Sequence, residues 1–192
     1  MKRLLSAMAL AAALCAGGAA QAAVVTFNNP GVIDIDNNTG VATYTEAGYK
    51  IVGAAAAFLT IPDPSLGEVL VGGSDTTPFS LMSSTGAAFA LLALDYAFYD
   101  LGSSPGVLSV LGFSNGVQVA SRALTLTGIN ALAHINFNSN WINVNEVRFS
   151  GSSGFALDNI SAVPEPGTLA LTSSALMVMG TGMGFIRRRR QA

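Results

Sequence analysis

Apolar runs in this chain are short, and clusters of turn residues cut nearly all of them within about eight to twelve residues. That punctuation leaves little room for helices and suits an antiparallel sandwich or barrel of many strands. The runs Val24–Phe27, Val32–Asp36, Val41–Thr45, Tyr49–Val52, Phe58–Ile61, Glu68–Val71 and Phe79–Met82 are separated by Asn28-Asn29-Pro30-Gly31, Asp36-Asn37-Asn38-Thr39-Gly40, Gly48, Pro62-Asp63-Pro64, Gly72-Gly73 and Ser83-Ser84. The longest, Ala87–Tyr99, has the alanines and leucines of a helix. However, Ala90, Leu92, Leu94, Tyr96 and Phe98 form a uniformly apolar alternate set, which favours a central sandwich strand. Val107–Phe113 and Val117–Leu126 meet at Ser114-Asn115-Gly116, where Asn-Gly tolerates the positive φ of a tight hairpin turn. Ala133–Phe137, Trp141–Phe149 and Phe155–Ile160 complete the set, and the two faces of Trp141–Phe149 exchange near Asn145 as at a bulge.

Both ends of the chain depart from this pattern. Lys2 and Arg3 precede the apolar stretch Leu4–Ala16, and Ala20-Gln21-Ala22 is an A-x-A site. Residues 1–22 therefore read as a signal peptide that uses the Sec machinery and signal peptidase, with the mature chain beginning at Ala23. Cys15 follows Leu14 rather than a small residue, so it is no lipoprotein cysteine, and the exported body has no disulfide. At the other end, Leu169–Ile186 is uncharged and spans about 27 Å as a helix, just short of a bilayer's hydrocarbon core. Its apolarity is modest, with three glycines, and suits a temporary anchor in the inner membrane. Gly180 and Gly184 make a GxxxG that fits a small-residue helix without a partner. Arg187, Arg188, Arg189 and Arg190 act together as a cytoplasmic stop signal and leave the body outside.

The formal charge of −2 hides a contrast. Six of the nine basic residues lie in these ends, and residues 23–163 carry three basic against ten acidic residues, a net of −7. A body so acidic, with no basic cluster, does not bind nucleic acid by phosphate neutralisation. About 140 residues suffice for one cored domain.

The order Val163-Pro164-Glu165-Pro166, one short span and a terminal arginine cluster resembles the PEP-CTERM sorting signal of Gram-negative bacteria, a tail also labelled an ice-binding-protein C-terminal domain. The resemblance covers residues 163–192. It implies that an exosortase recognises Pro164, Glu165 and Pro166 and processes the tail during export to the cell surface or extracellular matrix. The pattern TF…YTEAGYKI…PFSLMS…LSVLGFSNGVQVAS…VRFSG…FALDNISA in residues 23–162 is similar to jelly-roll bodies that often precede such tails, which resemble carbohydrate-binding modules. In lectin-like jelly rolls a structural calcium is often held near the first strand and by an aspartate of the last. Asp158 matches the latter position, whereas Asn28 stands where a stronger acidic ligand is expected.

Other site candidates are thin. Asp34, Asp36 and Asn38 have calcium-loop spacing, but Thr39 and Thr45 break the EF-hand pattern, which leaves an Asx turn as the simpler account. His134 is the single histidine, on a solvent-facing strand position, and no Gly-x-Ser-x-Gly elbow accompanies it. Trp141, Tyr44, Tyr49, Tyr96 and Tyr99 fit sugar stacking or core packing, and Trp141 fits the core better. The expectation is an all-β antiparallel sandwich, jelly-roll-like, flanked by a signal helix and one transmembrane helix. Its expected role is that of a non-enzymatic structural or adhesive surface protein touching extracellular polysaccharide. A calcium-stabilised carbohydrate-binding module is the alternative, and a secreted hydrolase the third reading.

Overall fold

The computed structural model describes residues 22–28, 33–73, 77–102, 104–129 and 131–165. The expected signal peptide 1–22, apart from Ala22, lies outside the described residues. So do Pro166, the expected transmembrane span 169–186 and the stop-signal residues Arg187, Arg188, Arg189 and Arg190. No helix among those described is long and apolar enough to cross a membrane.

Among the described residues thirteen strands form two sheets, and every strand pairing is antiparallel. They are β1 (Ala23–Val25), β2 (Asp34–Asp36), β3 (Val41–Glu46), β4 (Tyr49–Ala54), β5 (Phe58–Asp63), β6 (Gly67–Gly72), β7 (Phe79–Ser83), β8 (Phe89–Phe98), β9 (Val107–Ser114), β10 (Val117–Thr125), β11 (Ala133–Asn136), β12 (Glu146–Gly151) and β13 (Phe155–Pro164). One sheet runs β11-β8-β13-β6-β5, with β1 also on β13; the other runs β10-β9-β12-β7-β4-β3-β2. Alternation sends one side of most strands into the shared interior, whereas the edge strand β2 is exposed throughout. Phe79 of the seven-stranded sheet meets Phe58 and Phe155 of the six-stranded one at 5.4 and 5.8 Å between ring centroids.

Local chemistry sets the turns. Ala47 and Gly48 both have positive φ between Glu46 and Tyr49, as do Asn115 and Gly116 between Ser114 and Val117. That is the geometry in which two-residue hairpins match strand twist. The expected long strand Trp141–Phe149 needs correction. Asn138 caps a 3-10 turn at Ser139–Trp141, its side chain accepting from Asn140 N–H, and Asn143 is left-handed. These asparagines offer the backbone an alternative to the ladder, so β12 begins only at Glu146. The face exchange read near Asn145 is this change of element. The register shifts fall instead at Gln118/Ala120 and between Asp158 and Ala162.

Candidate functional site

The outer surfaces of the two sheets differ. On the six-stranded sheet, Val69, Val71, Ala97 and Ala156 are buried outside the main core, with Ile61, Leu66, Tyr99 and Leu132 packed on them. A cleft of about 240 Å³ remains between β8 and Thr125–Ala133, with Tyr96, Phe98, Leu126 and Leu132 in its walls.

The outer face of the seven-stranded sheet is mixed, its charged and hydroxyl side chains interleaved with apolar ones such as Leu111, Met82 and Val52. In β12 Val147 and Phe149 are buried inward, so Glu146, Arg148 and Ser150 point the other way. Register aligns Gln118, Phe113, Glu146, Met82, Lys50 and Thr45 in one cross-strand row. The next row contains Ser121, Leu111, Arg148, Ser80, Val52 and Thr43. Between the two rows, Arg148 Nε and Nη2 donate to Glu146 Oε1 and Oε2 at 2.7 and 3.0 Å. The Ser80 hydroxyl donates to Glu146 Oε1 at 2.6 Å, and the guanidinium carbon lies 4.1 Å from the centroid of the Phe113 ring. The hydrogen bonds from Arg148 hold the Glu146 carboxyl below its ordinary range, against the opposing effect of burial. Beside this group, Ser109 and Ser150 face each other across β9 and β12, in a shallow depression of about 390 Å³ completed by Val107, Gly151 and Ser152.

A second polar line crosses the six-stranded sheet. Register puts His134, Asp95 and Asp158 side by side on β11, β8 and β13. His134 Nδ1 lies 2.6 Å from Asp95 Oδ1, and Nε2 lies 3.3 Å from Asn136 Oδ1. The Asn159 side-chain amide donates to Asp95 Oδ2 at 2.8 Å and to Asp158 Oδ2 at 3.2 Å, while Asn159 N–H donates to Asp158 Oδ1. The hydrogen bond to Asp95 raises the His134 pKa, helped by Asn136. Burial is the main cause pushing Asp158 up to about 6, opposed by the Asn159 N–H and reinforced by the charges of Asp95 and Glu46.

His134 is exposed, as its strand position implies, and it hydrogen-bonds no serine or threonine hydroxyl among the described residues. Asp158 is buried, only 6% exposed. Among the described residues no group of three or more His, Cys, Asp or Glu side chains is placed to hold a metal. Asp36 makes the Asx turn, accepting from Asn38 N–H and the Thr39 hydroxyl. Trp141 packs on Phe137 at 4.6 Å in the core, and Tyr44 and Tyr49 are core residues as well. Pro164 ends β13 opposite Phe89, and Glu165 N–H donates to the Ala88 carbonyl, so the start of the Pro-Glu-Pro motif is extended and docked on the sheet.

The Glu146–Arg148 group is absent from the candidates that the sequence suggests. The available signal was the Glu-x-Arg spacing in a strand, which puts both charges on one face.

No protein-family model and no curated protein matches the chain. Among solved structures it is similar to a DUF4465 family protein from Bacteroides caccae, with 14% identity, 78% of this chain and 88% of that one covered, and a TM-score of 0.43. It is also similar to a family 29 carbohydrate-binding module from Piromyces equi, with 9% identity, 76% and 91% coverage and a TM-score of 0.45. A third likeness is to a family 11 carbohydrate-binding module from Clostridium thermocellum, with 12% identity, 77% and 97% coverage and a TM-score of 0.37.

Proposed function

We propose that the body is a non-enzymatic module that binds polysaccharide on the outer face of the seven-stranded sheet. The observation that supports it is the contrast between the two outer faces. One carries its own apolar cluster beside the line of His134, Asp95 and Asp158, while the other carries a fixed guanidinium, a carboxylate and facing hydroxyls across an open sheet. Hydroxyl-rich ligands exchange water for such groups at little net cost, and without a deep pocket. This narrows the matrix role expected from the sequence to a binding one. Export through the Sec route, recognition of Pro164-Glu165-Pro166 by an exosortase, and delivery to the cell surface belong to the same proposal. The ordered signals at the two ends support it, among them the arginines Arg187, Arg188, Arg189 and Arg190 as the stop that keeps the body outside.

Affinity electrophoresis of the purified full chain in gels containing single polysaccharides tests the binding. Retardation by at least one of them is expected, and unchanged mobility in all would refute it. Intact mass of the protein from its host tests the sorting. Residues 1–22 should be missing and the C-terminus should lie near Pro164–Pro166, whereas a chain still ending at Ala192 would mean that the tail is retained.

A further inference from the structure

Three contacts fix the guanidinium of Arg148. Two N–H groups are taken by Glu146, whose carboxylate is held in turn by Ser80 from the neighbouring strand, and one flat face lies over Phe113. A guanidinium has five N–H donors, so three remain without a partner among the described residues. The side chain is 41% exposed, which leaves those donors within reach of a ligand. Donors held in a rigid fork lose little freedom on binding and read pairs of oxygens at fixed spacing.

Two kinds of sugar oxygen fit such a fork: the carboxylate of a uronic acid and two adjacent hydroxyls of a neutral sugar. Electrostatics separates them. The charge of Arg148 is already balanced by Glu146, whose carboxylate would repel a second one beside it. The surrounding body carries a net −7, and against it stands Lys50, two strands from Glu146 in the neighbouring row, while Asp34 ends the row of Arg148 four strands away. A neutral diol meets the same donors without that repulsion.

We infer that Arg148 is the specificity-determining residue of this face, that Glu146 and Ser80 are its positioning residues, and that the ligand is a neutral polysaccharide presenting adjacent hydroxyls. This rests on the binding role proposed above, and the test separates the two.

The full chain is run in affinity gels containing mixed-linkage β-glucan or glucomannan as neutral ligands and alginate or polygalacturonate as uronic ones, at low and high salt. The native protein should be retarded by a neutral polymer and not by a uronic one, with little effect of salt. R148K keeps the charge but loses the fork and should weaken retention about tenfold. E146Q removes the competing carboxylate and should gain salt-sensitive retention by uronic polymers, a change that mere loss of structure would not produce. S80A, the mildest change, should weaken neutral retention without that gain. If the native chain binds a neutral polymer and R148K binds it equally well, this inference fails and the binding role stands. Preference of the native chain for a uronic polymer also overturns it. Absence of retention by any polymer removes the binding role itself.

Discussion

At the scale of single residues, two buried side-chain oxygens among those described make no hydrogen bond, on Tyr49 and Ser153, and the first lies in the core. Tyr49 is 2% exposed, its hydroxyl makes no hydrogen bond among the described residues, and burial pushes its pKa up to about 12. Its ring packs edge-on to Phe89 at 5.3 Å. Removing the hydroxyl keeps the ring and relieves an unmatched desolvation cost, so Y49F should raise stability by about 1 kcal/mol in urea unfolding. A loss of stability would mean that the hydroxyl has a water partner. Glu46 is the opposite case. It accepts from Thr26 N–H, the Thr26 hydroxyl, Phe27 N–H and the Tyr44 hydroxyl at 2.9–3.2 Å, and it holds the end of β1 where Phe27 has positive φ. E46A should cost roughly 2–3 kcal/mol, since several buried donors lose one acceptor together. Hydrogen exchange should show the loss concentrated at β1.

At the scale of elements, the line from His134 to Asp158 ties β11, β8 and β13 together and makes stability depend on pH. Asp158 has a folded pKa of about 6 against an ordinary 3.8, so the folded state binds its proton more tightly than the unfolded state does. Its contribution is present in acid and lost as pH rises from about 4 through 6, a loss on the order of 2–3 kcal/mol. His134 acts in the same sense, its contribution being present below 6.5 and lost as pH rises through its raised folded value. The melting temperature should therefore fall between pH 4 and 7, and D158N should flatten most of that slope. A rising or level profile in the native protein would contradict the reading of Asp158.

Elements with local signals are legible in the sequence. Asn115-Gly116 announces its hairpin, Asp36-Asn37-Asn38 its Asx turn, and the alternation in Ala87–Tyr99 outweighs its helical composition to give β8. The Trp141 region misleads because alternation ignores what Asn138 and Asn143 do to their own backbone. Of the polar groupings, only the Glu146–Arg148 pair is legible, through its Glu-x-Arg spacing. Asp95, His134 and Asp158 meet only through the order β11-β8-β13, and Ser80 reaches Glu146 only because β7 lies beside β12. Such register is a property of the assembled sheets, which no window of sequence contains.

For the whole molecule, the six-stranded sheet carries apolar clusters on both sides and shares the larger one with its partner sheet. Neither sheet can keep its interior dry alone, which predicts one cooperative transition. Trp141, the single tryptophan, is buried in the larger cluster and reports on it. Its fluorescence and the far-ultraviolet dichroism of the strands should change at the same denaturant concentration. Separated midpoints would indicate that one sheet outlasts the other.

The first and last strands are neighbours, with Ala23 opposite Ala162 and Val25 opposite Ile160. The domain's entry and exit points are thus side by side, and this gives it a mechanical character. Tension applied through both ends acts on the same edge of β1 and β13 and parts their hydrogen bonds one at a time, instead of loading the three-residue ladder in shear. Under such a pull β1 should peel away first at low force, with Glu46 as the last catch. The remaining sandwich should then yield in a separate, stronger event as β13 is drawn from between β8 and β6.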